Sequence, residues 1–462
     1  MEGEIHTLGT RIWGSGPFHA LPVVSQKDLV KTTSGAPWTW SLTLALTLAV
    51  TGSWINLVEA VEVEKIDLQE LYGWKTLDYA WPSKESRDVA LARGDYIPIN
   101  NIIVGIKVWE DRLFISLPRW QPGVPSTLNW VSYNFSEGFA GPPLSPSLNP
   151  FPSWEMQEIG NCSAIQFVQS MEIDPLGRMW VLDAGRRNFF TNTPDTHCPP
   201  RLVLLDVKQD NRVLHTFVFP DNVVSHTLGF LNDLVVDVSG GGDGSDWYAY
   251  ISDSGVLPDS GGGIVVYHLG TDRAWRVYDK ASMNVETGAA SEAVIGGKMT
   301  VLRSNVDGIG LASLADGTDR VFYAPLGSFN LYSLPTSLLR NPPADPSEVT
   351  RAVVNLGRRT SQGDGMAVDS TGAIYFGLLN QDGFARWPRE ARITEGNPSN
   401  AEVLAVDPVR LQWVNSFSFD NINKYQIVLS DRVQMLQGYN PNEVNFRVFR
   451  HKINARSYMY PD

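Results

Sequence analysis

The sequence predicts an all-β fold, a six-bladed β-propeller with four-stranded antiparallel blades, and three observations carry that prediction. The composition is turn-rich: 40 Gly and 29 Pro punctuate the chain, and 15 Trp, 15 Tyr and 19 Phe suit pleated surfaces, while runs of good helix formers at helical spacing are scarce. Apolar runs come in pairs across short polar turns, as in antiparallel hairpins. The paired unit also recurs. With Val108, Ile173, Val236, Ser313, Val368 and Phe419 as corresponding points, the spacings are 65, 63, 77, 55 and 51 residues. These exceed the minimal propeller repeat of about 40–45 residues but suit four-stranded blades with elaborated loops, and six units fill the roughly 400 residues after Ala60. A pair of sandwiches is the alternative; a closed ring leaves fewer exposed edges.

Residues 1–60 form an N-terminal extension. Within it, 32–58 carries no charge, Lys27 and Lys31 precede it and Val58-Glu59-Ala60 follows, the pattern of a secretory signal cleaved near Ala60 or of an uncleaved anchor over 38–58. Its distance from Met1 suggests a translation start downstream of Met1. Either reading places the body, 61–455, outside the cytosol, with 456–462 as a tail. The first pair of strands falls in 102–120, split at Glu110-Asp111. The Pro-rich 142–152 is a surface crossing. The clearest hairpin is CSAIQFVQSMEIDPLGRMWVLDAGRR at 162–187, with Asp174-Pro175-Leu176-Gly177 as its turn. Further pairs follow at 201–219 (turn Gln209-Asp210-Asn211), 230–254, 262–279, 310–326, 364–379 and 416–432.

A formal net charge of −13 argues against binding a phosphate backbone, so no nucleic-acid partner is expected. The seven His are scattered without H-x-H or H-E-x-x-H spacing, and no metal site or cofactor is predicted. His226 follows Ser225 without a nucleophile elbow, and Asp243, Asp246 and Asp253 lack the pattern of a calcium loop. The glycine runs at 240–246 and 259–264 precede no βα unit and read as wide loops. In the 162–187 hairpin, Asp174, Arg178, Asp183 and Arg186 could form an acid and base pair flanked by guanidinium groups, but holding the turn and the strand exit is the simpler reading. Arg447, Arg450, His451 and Lys452 read as a solvated tail. Cys162 and Cys198 allow one disulfide or two unrelated thiols. Asn134 and Asn161 head N-x-S/T sequons.

Several blocks, in order, carry a family resemblance: NNIIVGIKVWEDRLFISLPRWQPGVPSTLNWV, MWVLDAG, CPPRLVLLDV, LVVDVS, WYAYISDSG, GGIVVYHLGTDRAWRV, DGIGLASL, VFYAPL, IYFGLL, LSDR and NEVNFRVFR. Together, from Val61 to about Arg450, they resemble the Yellow and major royal jelly proteins. The resemblance implies a secreted six-bladed propeller. Its members include proteins of cuticle pigmentation, dopachrome-converting proteins, nutritive proteins and salivary binders of biogenic amines. Cys162 and Cys198 match family positions. Leu176, Gly244-Ser245-Asp246 and Ala385-Arg386-Trp387 stand where relatives commonly carry further Cys.

By analogy with the amine-binding relatives, the ligand would sit at the mouth of the central channel. The candidate residues are Arg119, Trp120, Asn305, Phe329, Ser361, Gln362 and Asn380, with Asp307 or Asp364 pairing with an ammonium group. Two functions follow as expectations. One is a part in the melanin and cuticle pathway, converting dopachrome by tautomerisation without a redox cofactor; the other is non-catalytic binding of a biogenic amine or another small aromatic or catecholic molecule. No catalytic residue is assigned, and no intracellular partner is expected.

Overall fold

Four of the blades, the second, third, fifth and sixth, start from the same local device, an apolar strand that ends at or beside an aspartate, and the computed structural model shows what that aspartate does. It describes residues 63, 64 and 66–460, apart from 137, 138, 140, 210, 211, 315, 316, 395 and 437. The signal or anchor expected over 38–58, Ala60, and Asp210 and Asn211 of the expected turn lie outside the described residues.

In the second blade, Asp174 follows the strand Val168–Ile173 and accepts from the Leu176 and Arg178 backbone N–H groups (2.9 and 3.1 Å), from Arg178 Nε (2.7 Å) and from the Trp180 indole (2.9 Å). Gly177 supplies the positive φ of 79° that the turn needs. In the fifth blade, Asp369 accepts from the Thr371 and Ala373 N–H groups and the Tyr375 hydroxyl (2.9, 3.0 and 2.9 Å). Asp237 takes the Tyr250 hydroxyl at 3.0 Å, and Asp420 takes the Ile422 and Asn423 N–H groups and, across the ring, the Tyr133 hydroxyl at 3.2 Å. One buried carboxylate thus closes a turn and ties it to an aromatic ring, which makes the hairpin cooperative with its own core.

Six antiparallel sheets result, joined in order. Their innermost strands are Gly105–Trp109, Val168–Ile173, Leu231–Asp237, Val306–Ser313, Met366–Val368 and Trp413–Asp420, each touching the next around the ring. All six corresponding points of the sequence repeat fall on these strands. The sixth blade is completed from the other end of the chain: Gln69–Trp74 pairs with Phe446–Lys452 as the outer strand, closing the ring. Val63–Glu64 adds a fifth strand to blade five. The long spacing of 77 residues between blades three and four contains a separate hairpin, Glu292–Ile295 with Lys298–Val301, that belongs to no blade.

The basic cluster near the C-terminus corrects the sequence reading. Arg447, Arg450 and His451 are 9%, 1% and 3% exposed within Phe446–Lys452, so they are not a solvated tail. Arg450 donates to Gln69 Oε1 (3.0 Å) and to the carbonyls of Phe135 and Ser136 (3.3 and 2.6 Å). Burial holds the His451 imidazole neutral, its pKa pushed down to about 3. Beyond it, Tyr458 exchanges two hydrogen bonds of 2.9 Å with the backbone of Val236, and with Ser457 and Met459 it lines one end of the channel.

Cys162 and Cys198 form a disulfide across 36 residues. Replacing both by Ala is expected to cost about 3 kcal/mol through loop-closure entropy. Urea denaturation would check it, and an unchanged midpoint would refute it.

Candidate functional site

Polar residues one to three positions into several of the inner strands, with Asp364 just before another, line one end of the channel. Gln169, Ser170, Asn232, Asp233, Asp307, Asp364, Asn415 and Ser416 face one another there, with Lys107, Val104, Met366 and Phe417 between them. The opposite end mixes Val108, Ile173, Val235, Val368 and Phe419 with Lys107, Glu172, Asp233, Ser418 and Asn421, and the C-terminal segment closes it. Side chains fill the channel down to water-sized gaps, so an aromatic ring would have to sit at the mouth rather than inside.

Two glycines set the spacing at the polar end. A Cβ on Gly308 would lie 2.3 Å from the Asp364 carbonyl oxygen, and one on Gly365 would lie 2.3 Å from the Asn415 carbonyl oxygen. Only glycine lets the inner strands of blades four, five and six approach this closely. Asp307 and Asp364, the residues just before these glycines, are thereby brought into hydrogen-bond contact.

Burial raises both carboxyls. Asp307 is pushed well above the carboxylate range, first by burial and then by the charge and hydrogen bond of Asp364. Burial pushes Asp364 up to about 7, against the donors that favour its ionised form, the Trp413 indole at 2.6 Å and Asp307. Two more aspartates complete the cluster. Asp431 is pushed up to about 8 by burial, although it accepts from Val433 N–H (3.0 Å) and Asn415 Nδ2 (2.7 Å). Asp233, bonded to Ser170 Oγ at 2.7 Å, is raised by burial as well. The cations nearby are Lys107, which is paired with Glu172 at 2.9 Å, and the buried Arg359. Among the described residues, no three His, Cys, Asp or Glu side chains are grouped to hold a metal.

The other residues named by analogy lie apart from this cluster and are engaged in the scaffold. Arg119, 2% exposed, spends its guanidinium on five backbone carbonyls. Trp120 packs edge-on against Phe190, with ring centroids 5.6 Å apart. Asn305 bridges Val285 N–H and the Ser254 carbonyl (2.9 and 2.8 Å), and Phe329 lies under the Arg358 guanidinium at 4.4 Å. Ser361 Oγ accepts from Asn380 N–H at 2.8 Å. Gln362 donates to the carbonyls of Ala290 and Glu292, both at 2.9 Å, and Asn380 Oδ1 accepts from Val294 N–H at 2.8 Å, so both hold the separate hairpin. Sequence reasoning passed over Asp233, Asp431 and Trp413. The one local signal was the Asp-Gly pair that precedes two of the inner strands' apolar runs.

Fold and site together define a six-bladed β-propeller with buried carboxyl groups at one end of its channel. The chain belongs to the major royal jelly protein family, whose model matches residues 166–459. It is similar to Protein yellow of Drosophila melanogaster, 28% identical over 429 residues that cover 89% of this chain and 71% of that protein. It is 29% identical to Protein yellow of Drosophila erecta over 401 residues, 83% and 68% of the two chains. A luciferin-regenerating enzyme aligns over 85% of this chain and 97% of its own at 12% identity and a TM-score of 0.42, too loose a match to carry an argument.

Proposed function

We propose that this Yellow-like protein acts in the melanin and cuticle pathway on a small catechol-derived molecule held at the polar end of the channel, isomerising it in the manner of dopachrome. The observation that supports this reading is the hydrogen-bonded pair Asp307–Asp364, one carboxyl protonated and the other near 7. A pair so poised can exchange protons in both directions at neutral pH. In the tautomerisation, Asp364 removes the proton from the ring carbon that bears the carboxyl group. The electron pair moves through the ring to a quinone oxygen, which takes the proton held by Asp307. A second proton then leaves the adjacent ring CH2 and the other quinone oxygen takes one in turn through the same pair, which completes the dihydroxyindole. No electrons leave the substrate, and no redox cofactor enters the step.

A second reading, binding without turnover, is supported by charge balance. Among the described residues, Asp233, Asp307 and Asp364 line this end with Lys107, and burial short of counter-charge is what raises these carboxyls; the ammonium of a biogenic amine would supply that charge and let them ionise. Secretion is part of the proposal. It accords with the disulfide, with exposed Asn134 and Asn161 as glycan acceptors, and with the fact that no described helix is long and apolar enough to cross a membrane.

The test follows dopachrome absorbance with purified protein. Decay faster than with a heat-killed control, falling by about 10²–10⁴-fold in Asp364→Asn, is expected for the isomerase. Saturable heat on titration with dopamine or serotonin, without faster decay, would instead support the binder. Neither response would sink both readings for these ligands.

A further inference from the structure

The hairpin between blades three and four has a face that the blades do not need. Its strands pair in the register Ala293↔Thr300 and Ile295↔Lys298, which turns Ala293 and Ile295 inward, 2% and 0% exposed. With Leu302 they pack on Leu326 of blade four, Leu379 of blade five and Trp413 of blade six. The hairpin is also tethered by polar groups. Asn380 Oδ1 takes Val294 N–H at 2.8 Å, Asp382 Oδ1 takes Gly296 N–H at 2.7 Å, Gln362 donates to the Glu292 carbonyl, and Lys298 donates to the carbonyl of Gln434. An inserted element thus touches three blades at once and presses on one indole.

That indole connects the hairpin to the carboxyl pair. Trp413 is 3% exposed in one apolar cluster with Ala293, Ile295, Leu302, Leu326 and Leu379, and its Nε1–H points to Asp364 Oδ2 at 2.6 Å. A neutral N–H donor favours the ionised carboxylate, because the protonated acid is the weaker acceptor. The indole keeps that aim only while the cover holds its ring in place.

We infer that the hairpin Glu292–Val301, acting through Trp413, positions and tunes the Asp307–Asp364 pair, so that Trp413 is a positioning residue and the hairpin is the part of the fold that sets how readily Asp364 accepts a proton. The other charged groups around the pair are Lys107 from blade one, Asp233 from blade three, Asp431 from blade six, and Arg359 beside Asp307. None of them belongs to the hairpin. The inference rests on the proton-exchange reading of the pair for its functional meaning, but the tuning itself needs no ligand.

The experiment is an infrared pH titration of the protonated carboxyl band, isolated as the difference between each protein and its Asp364→Asn counterpart, without any substrate. Trp413→Phe keeps a ring under the hairpin and removes the donor, and it is expected to move the loss of the Asp364 proton upward by about one pH unit. Ile295→Ala keeps the donor and loosens its cover, and it is expected to move the titration the same way by less. A shift in Trp413→Phe alone would overturn the role of the hairpin. Unshifted titrations in both would overturn the whole inference, as would an unshifted Ile295→Ala if Trp413→Phe does not fold. A failed dopachrome assay would bear only on the functional reading, since the titration is independent of it.

Discussion

Arg119→Met is expected to unfold the protein or to lower its stability by about 4 kcal/mol or more, with loss of any ligand response only as a consequence. The guanidinium is buried and donates Nε to Val124 O (2.9 Å), Nη1 to Ile165 O and Gln166 O (3.0 and 2.8 Å), and Nη2 to Pro125 O and Gln157 O (2.8 and 2.7 Å). Two of these carbonyls lie in the loop between the second and third strands of blade one and three in the segment that leads into blade two, so one side chain ties the two blades together. Met fills the volume of the stem and leaves the carbonyls without their donor. Lys presents three donors from one point and cannot span the same set, so Arg119→Lys is expected to recover only part of the loss. Burial lowers the Arg119 pKa to about 10, still far enough above neutrality for the group to remain charged. Urea midpoints of the three proteins decide the matter. A folded Arg119→Met protein of unchanged midpoint that no longer responds to ligand would mean that the side chain serves the ligand instead of the scaffold.

The repeat of the fold was legible because each unit is built locally. A strand, an aspartate that caps its turn and an aromatic residue that returns to that aspartate all lie within a few residues of one another, as in Asp174 with Trp180 and Asp369 with Tyr375. What ring closure supplies was not legible. Phe446–Lys452 interleaves Phe446, Val448 and Phe449 with Arg447, Arg450 and His451, and the run by itself does not say what takes the two guanidinium groups. Their partners, Glu70 and Gln69, lie at the other end of the chain on the strand that closes the ring. A run whose counter-charges are nearly four hundred residues away looks solvated when read by itself.

The site divides along the same line. Asp307-Gly308 and Asp364-Gly365 could be singled out, because an acid beside a glycine marks a carboxyl at a close backbone approach. Asp431 and Trp413 could not, since a strand-ending Asp recurs in blades two, three and six and a Trp at a strand start reads as core. They matter here because blade six delivers them to the same end of the channel. Arg119 and Gln362 illustrate the converse. A polar side chain in a loop reads as available for a ligand, whereas burial turned both toward backbone carbonyls.

The carboxyl cluster makes stability fall as pH rises, and Asp431 is the clearest contributor. An unfolded Asp releases its proton near pH 4, while the folded Asp431, 1% exposed and raised by burial, keeps it to about 8. Between those values the unfolded chain binds fewer protons than the folded one, so the folded state loses ground with every unit of pH, and the loss is complete only above the folded value. At about 1.4 kcal/mol per unit, Asp431 alone accounts for a loss on the order of 5 kcal/mol across that range, and Asp307, Asp364 and Asp233 act in the same direction. His451 opposes them below pH 6.5, where the unfolded imidazole gains a proton that the buried one cannot accept. Above 6.5 that opposition is gone. From there to pH 8 the urea midpoint of the wild type is expected to fall, with about 2 kcal/mol of the loss due to Asp431. Asp431→Asn keeps an acceptor for the Val433 N–H and removes the titration, so its slope over this interval is expected to be shallower by that amount. Parallel slopes for the two proteins would show that Asp431 does not hold its proton into this range, and that the polar end of the channel is better hydrated than its burial indicates.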